Sequence, residues 1–144
     1  MRRPGWTILV IAGLGIACGP PAPIRARAQI GALEITDAFA REPVILASGA
    51  AYLTIRNTGT AADTLLMAKS PEAGGAMFHG QSMSHLDQLP IPAGGTVALA
   101  PGGTHLMLTD FSRMPVVGDS LVIVLDFARA GRLQFKVPVR PVTE

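Results

Sequence analysis

The chain has 144 residues, 49% of them hydrophobic but only 5% aromatic, and its formal net charge of +2 comes from 12 Lys+Arg against 10 Asp+Glu. Arg2, Arg3, Arg25 and Arg27 all precede residue 29 and no acid does, so residues 29–144 carry a net charge of −2. That balance gives no case for nucleic acid as a partner, and the single cysteine, Cys18, leaves everything downstream without a disulfide or a thiolate metal ligand.

Arg2-Arg3 followed by the apolar run from Trp6 to Cys18 has the form of a secretion signal and is too short to span a bilayer. Ala26-Arg27-Ala28 supplies the small residues of a cleavage site. The predicted mature domain is therefore 29–144, exported to the periplasm, with 1–28 removed. An alternative rests on Cys18: acylation there gives a lipid anchor, and Gly19-Pro20-Pro21-Ala22-Pro23 forms a stiff tether behind it. Neither reading includes a membrane span.

The remaining chain suffices for one domain with one core. Short apolar runs predict strands near 32–40, 50–57, 63–68, 75–79, 83–88, 95–100, 104–109, 120–128 and 132–139. Turn signals separate them, among them Asn57-Thr58-Gly59, Pro92 to Gly95, Pro101-Gly102-Gly103, Val117-Gly118-Asp119 and Ala130-Gly131. Leu121 to Leu125 is apolar on both faces and reads as a central strand, whereas Leu133 to Val137 alternates between core and water. With no helix-length period between them, these strands predict an all-β sandwich or small Greek-key barrel.

All 3 histidines, and Met77, Met83 and Met107 among the 6 methionines, fall between residues 77 and 107. His105 and Met107 alternate along one strand and so project from one face. Upstream, Met77-Phe78-His79 and Met83-Ser84-His85 flank Gly80-Gln81-Ser82, a three-residue hairpin loop. In that register His79 and Met83 close the hairpin, Cβ atoms roughly 4.5–5.5 Å apart, and Met77 and His85 continue the face. Imidazole accepts many metals, but a thioether is a good ligand for Cu(I) or Ag(I) and a poor one for hard cations or zinc. Met67 and Met114 lie outside the cluster and read as packing residues.

Met83, 21 intervening residues, and then His105-Leu106-Met107 resemble the M-x21-H-x-M half-motif of the PCu(A)C-type periplasmic copper chaperones. Ile91 to Val97, Pro101 to Leu108, Gly118-Asp119 and Gly49 to Asn57 match that family's surrounding sequence, so the resemblance covers roughly residues 30–139. It implies a cupredoxin-like fold and a copper recipient that is an oxidase subunit, as in cytochrome oxidase assembly, or another copper chaperone. One departure stands out. Family members carry a histidine about 11 residues before the methionine, whereas His79 is separated from Met83 by three.

The resulting expectation is a Cu(I) carrier and not an enzyme, with ligands His79, Met83, His105 and Met107 and accessory positions His85 and Met77. A blue-copper electron carrier is excluded by the missing cysteine ligand. A hydrolase is disfavoured because Ser82 and Ser84 lack a nucleophile elbow and an orienting acid. The rival non-catalytic reading is a metal-free interaction module whose Met/His face is a contact patch. Arg41, Tyr52 and Asn57 match family positions and are read as packing or turn residues; Asp63 and Asp119 are read as turn acceptors.

Overall fold

The computed structural model describes residues 24–45 and 47–143. The charged and apolar stretches read as a secretion signal, and Cys18 with the residues read as its tether, lie outside them. The described chain forms eleven strands: β1 (Ala26–Ile30), β2 (Leu33–Arg41), β3 (Ser48–Asn57), β4 (Asp63–Lys69), β5 (Ala73–His79), β6 (His85–Leu86), β7 (Leu89–Ile91), β8 (Thr96–Leu99), β9 (His105–Phe111), β10 (Ser120–Phe127) and β11 (Gly131–Arg140). A single 3-10 turn, Gln81–Met83, sits between β5 and β6. Among the described residues no helix is long and apolar enough to cross a membrane.

Strand order is β6-β5-β9-β3-β2-β11-β10-β4-β7, with β1 added on β2 and β8 on β3. Two layers result, one containing β6-β5-β9-β3-β2 and the other β11-β10-β4-β7. They join where β11 runs parallel to β2, Val139 opposite Ala40, giving the nearly closed cupredoxin-like barrel. Alternation explains which side faces inward. Ile35, Leu53, Ile55, Leu106 and Leu108 of the first layer meet Leu65, Ile91, Ile123, Leu125 and Val137 of the second, all fully buried. β10 lies between β4 and β11, the central position its apolar run predicts.

Three differences from the sequence reading have physical causes. Residues 83–88 are not one strand, because Ser82 and Met83 adopt left-handed φ of 60° and 61°, which ends extended structure before it can begin at Met83. The segment divides instead into the 3-10 turn, β6, and the start of β7 at Leu89. Next, an additional strand, β1, precedes the first one expected, near 32–40. Ala26 pairs with Ala38 and Ala28 with Ile35, both alanines pack against the core, and Arg25 reaches Asp37 at 3.0 Å. Finally, the hairpin register differs: His79 faces His85, not Met83.

The turn residues behave as read. Asn57, 2% exposed, donates through Nδ2 to Ala61 O at 2.8 Å and accepts from Gly59 N at 3.0 Å, holding the β3–β4 turn from both sides. Asp119 accepts from Val116 N and from Arg113. The Val116 bond and then the Arg113 guanidinium hold its carboxyl below the usual carboxylate range.

Candidate metal centre

β3 shares one edge between two partners. Its first half, Ser48–Ala51, pairs with β9, and its second half, from Leu53 to Arg56, pairs with β8. The chain passes from β8 to β9 through Pro101-Gly102-Gly103. Proline suits the second position of this turn and Gly102, at φ +79°, the third; Gly103 N–H closes it onto Ala100 O at 3.0 Å.

The turn also orients His105. Its Nδ1 lies 2.9 Å from Gly103 O, and because a carbonyl only accepts, Nδ1 carries the hydrogen. In the neutral ring, Nε2 therefore keeps a free lone pair, the form a metal binds.

β9 and β5 then build the face together. Met77 is directly opposite Met107, and His79 is directly opposite His105. Residues paired across an antiparallel ladder share a face, so two thioethers form one transverse row and imidazoles the next. Met77, His79, His105 and Met107 are all half-buried. β6 extends the imidazole row: the ring centroids of His79 and His105 are 5.7 Å apart and those of His79 and His85 are 6.5 Å apart, both pairs edge to face. His85 is exposed, with Nε2 3.3 Å from Asp87.

His79 occupies the middle of this row, and its Nδ1 is buried with no hydrogen-bond partner among the described residues. A buried ring nitrogen without a partner costs about 1–3 kcal/mol, which a bound cation relieves. Among the described residues no three His, Cys, Asp or Glu side chains form a cluster suited to a metal. The donor set on offer is imidazole combined with thioether, and it fits a soft monovalent ion.

Met83 sits apart from the paired face. It leaves the 3-10 turn with its side chain outward, 57% exposed. Gly80 N–H donates to Ser84 O at 2.7 Å, and Ser84 Oγ donates to Gln81 O at 3.1 Å. These bonds narrow the loop that tethers Met83 between His79 and His85. A Cβ at Gly80 would lie 2.7 Å from Ser84 Oγ, so the tight closure uses a glycine.

The structure thus brings together His79, His105, Met107, Met77 and His85. Sequence reasoning missed the Gly103 carbonyl and Asp87 as positioning groups. Tyr52, read from the sequence as a packing residue, has a half-buried ring 6.5 Å from that of His105, a neighbour that strand alternation alone does not reveal.

Comparisons with known proteins bear on the family and the fold. The family described as "Putative lipoprotein LpqE-like" matches residues 33–139. A putative lipoprotein of Leifsonia xyli subsp. xyli is 29% identical over 99 residues, covering 63% of this chain. The match spans 60% of that relative's own length. Among solved structures, the copper-bound PCuAC domain from PmoF2 is 26% identical with a TM-score of 0.74, covering 81% of this chain and 98% of that domain. The solution structure of the CuI form of DR1885 from Deinococcus radiodurans is 27% identical with a TM-score of 0.64, covering 82% of this chain and 83% of that one.

Proposed function

The chain belongs to the LpqE-like family of putative lipoproteins, and from that footing we propose that it is an exported Cu(I) carrier and not an enzyme. The observation that carries the reading is the double cross-strand match, His79 opposite His105 and Met77 opposite Met107, with His105 held ready by Gly103 O. His79, His105 and Met107 bind the ion, and Met83 swings in from its short loop as the fourth ligand. Met's three rotatable bonds permit this motion. Met77 and His85 are accessory, and Met77, directly opposite Met107, has the better position of the two. Neutral ligands leave the ion's positive charge in place, and thioether ligation exchanges more readily than thiolate. Both properties suit cargo that is handed on, to an oxidase copper centre or to another chaperone.

Titration of apo-protein with Cu(I) against a competing chelator tests the reading. Wild-type protein is expected to bind Cu(I) and Ag(I) tightly and Zn(II) weakly, and replacing Met83 and Met107 together should remove the soft-ion preference. Zinc displacing Cu(I) at comparable concentration would sink the proposal. A metal-free interaction module would bind none of these ions specifically.

We also propose that the working protein keeps its chain from Cys18 onward, acylated at that cysteine and held at the outer face of an export membrane, in the periplasm where one exists. What supports this is β1: cleavage after Ala28 removes the Ala26 and Ala28 pairings with β2 and the Arg25 ion pair with Asp37. Intact mass of the exported protein is expected to equal residues 18–144 plus acyl chains. A mass starting at Gln29 would restore the simple cleaved-signal alternative.

A further inference from the structure

Exposed aliphatic side chains gather at one end of the barrel. β2 and β11 run parallel and both finish there, and β3 starts there, with Ser48 opposite Thr109 near the end of β9. The β2–β3 connection, the β9–β10 connection and the residues after β11 all lie at this end. They carry Val44 and Ile45, Val116 and Val117, and Val142; together with Ile24, which precedes β1, these side chains are between 43% and 80% exposed. Among the described residues, the other large hydrophobic side chains left exposed are Leu66, Met67 and Met83. Single exposed hydrophobes are ordinary on a protein surface, but a group of them marks a surface that meets something apolar.

The segments are held side by side. Glu42 N–H donates to Arg140 O at 2.8 Å and Gly118 N–H to Val139 O at 3.4 Å, so one connection lies on each side of the last residues of β11. Asp119 closes the second connection, its N–H on Val116 O at 3.0 Å and its carboxylate accepting from Val116 N at 3.1 Å. Aliphatic groups presented on a turn already bonded shut lose little freedom on contact, which favours binding.

The tether identifies the occupant. β1 enters from this same end, because Ala26 is opposite Ala38 and Ile30 opposite Leu33. Ile24 follows Cys18 by six positions, a reach of about 20 Å at most, so acyl chains on Cys18 keep this end close to the bilayer that holds them. We propose that the aliphatic end of the barrel docks on that lipid surface, with Val44, Ile45, Val116, Val117 and Val142 at the headgroup boundary. This rests on the lipid-anchor reading given above. The tether raises the local concentration of lipid, so a small apolar patch suffices as a second membrane contact. Docking also sets the height of the metal face. His105 lies four residues from Thr109 along β9, roughly 13 Å from this end, which keeps the histidine row clear of the headgroups and facing sideways.

Cys18 is the single cysteine, so residues 18–144 can be coupled through it to a maleimide lipid in phosphatidylcholine nanodiscs, whether or not a cell acylates it. Nitroxide-labelled phosphatidylcholine in the same discs is expected to broaden the NMR amide signals of Val44, Ile45, Val116, Val117 and Val142 and to spare those of Met77, His79 and His105. Replacing Val44, Ile45, Val116 and Val117 together by Ser should abolish that broadening, whereas Leu66→Ser should preserve it. The pattern in the unaltered chain decides the matter even if a variant folds poorly. Broadening centred on another face, broadening spread evenly over the barrel, or a serine variant that behaves as wild type would each overturn the docking surface. Uncoupled chain that dimerises through these residues would overturn it too, since the occupant would then be a second copy. A chain acylated in the cell that shows no docking in the discs overturns the docking surface alone. Docking by the coupled chain, beside an exported mass that starts at Gln29, overturns the lipid anchor.

Discussion

His105→Ala is expected to weaken Cu(I) binding by about 100-fold or more, since even the groups that merely orient a ligand are worth about 10–100-fold in metal affinity. The position combines two roles. Its Nε2 is a donor in the middle of the shared face, and its Nδ1–H is committed to Gly103 O at 2.9 Å, so no search over ring orientations precedes binding. Gly102→Ala separates the roles. At φ +79° an alanine is strained, the turn shifts, and the carbonyl loses its aim on a histidine that is still present; a loss nearer tenfold is expected there. His85→Ala should cost less than His105→Ala, because His85 is exposed and already engaged by Asp87. Chelator competition on the three variants is the measurement. Undiminished affinity in His105→Ala would mean that the ion sits elsewhere.

Much of the frame was legible because alternation and turn chemistry agree. Leu133 to Val137 alternates in the sequence, and in β11 Gln134 and Lys136 are exposed while Val137 is buried. Pro101-Gly102-Gly103 reads as a turn and is one. β1 was not legible, since Ala26-Arg27-Ala28 satisfies a cleavage pattern as well as it does a strand. Small residues meet both demands, and the strand forms because β2 is there as a partner.

The site was legible in composition and only partly in register. Alternation puts His105 and Met107 on one face from the sequence alone. The partner of His79 depends on how many residues the loop takes, and glycine or asparagine is the ordinary marker of left-handed backbone. Here Ser82 and Met83 adopt it, so Gly80-Gln81-Ser82 signals a shorter loop than the one that forms, and the closing partner moves from Met83 to His85. The pairing of His79 with His105 lies further beyond sequence reasoning, because β5 and β9 are joined by about 25 intervening residues whose path no local rule fixes.

Asp63→Ala is expected to destabilise the fold by about 2–3 kcal/mol without altering Cu(I) affinity. Asp63 is 8% exposed and accepts from Thr64 N at 2.7 Å, Arg129 N at 2.8 Å and Ala130 N at 2.9 Å. One carboxylate therefore ties the start of β4 to the turn between β10 and β11. Burial is the largest single influence on its ionisation and acts upward, but the three N–H bonds and the charge of Arg129 together outweigh it and leave the carboxyl below its ordinary range. A carboxylate lowered in the fold contributes fully above the unfolded value, about 3.9, and its contribution is lost as pH falls through the folded value. Urea unfolding should accordingly show a wild-type advantage over Asp63→Ala that is constant near neutrality and shrinks below about pH 4. Asp63→Asn should lose a similar amount. Its carbonyl can keep the contacts of Oδ1, but its NH₂ then meets the Ala130 N–H donor to donor. Asp63 lies beside the Asn57 end of β3, whereas Met107 pairs with Ala50 near the other end, a separation of roughly 20 Å along the strand. A gap between wild type and variant that stays the same from about pH 6 down to about pH 2 would show that the ionised carboxylate is not what joins these strands.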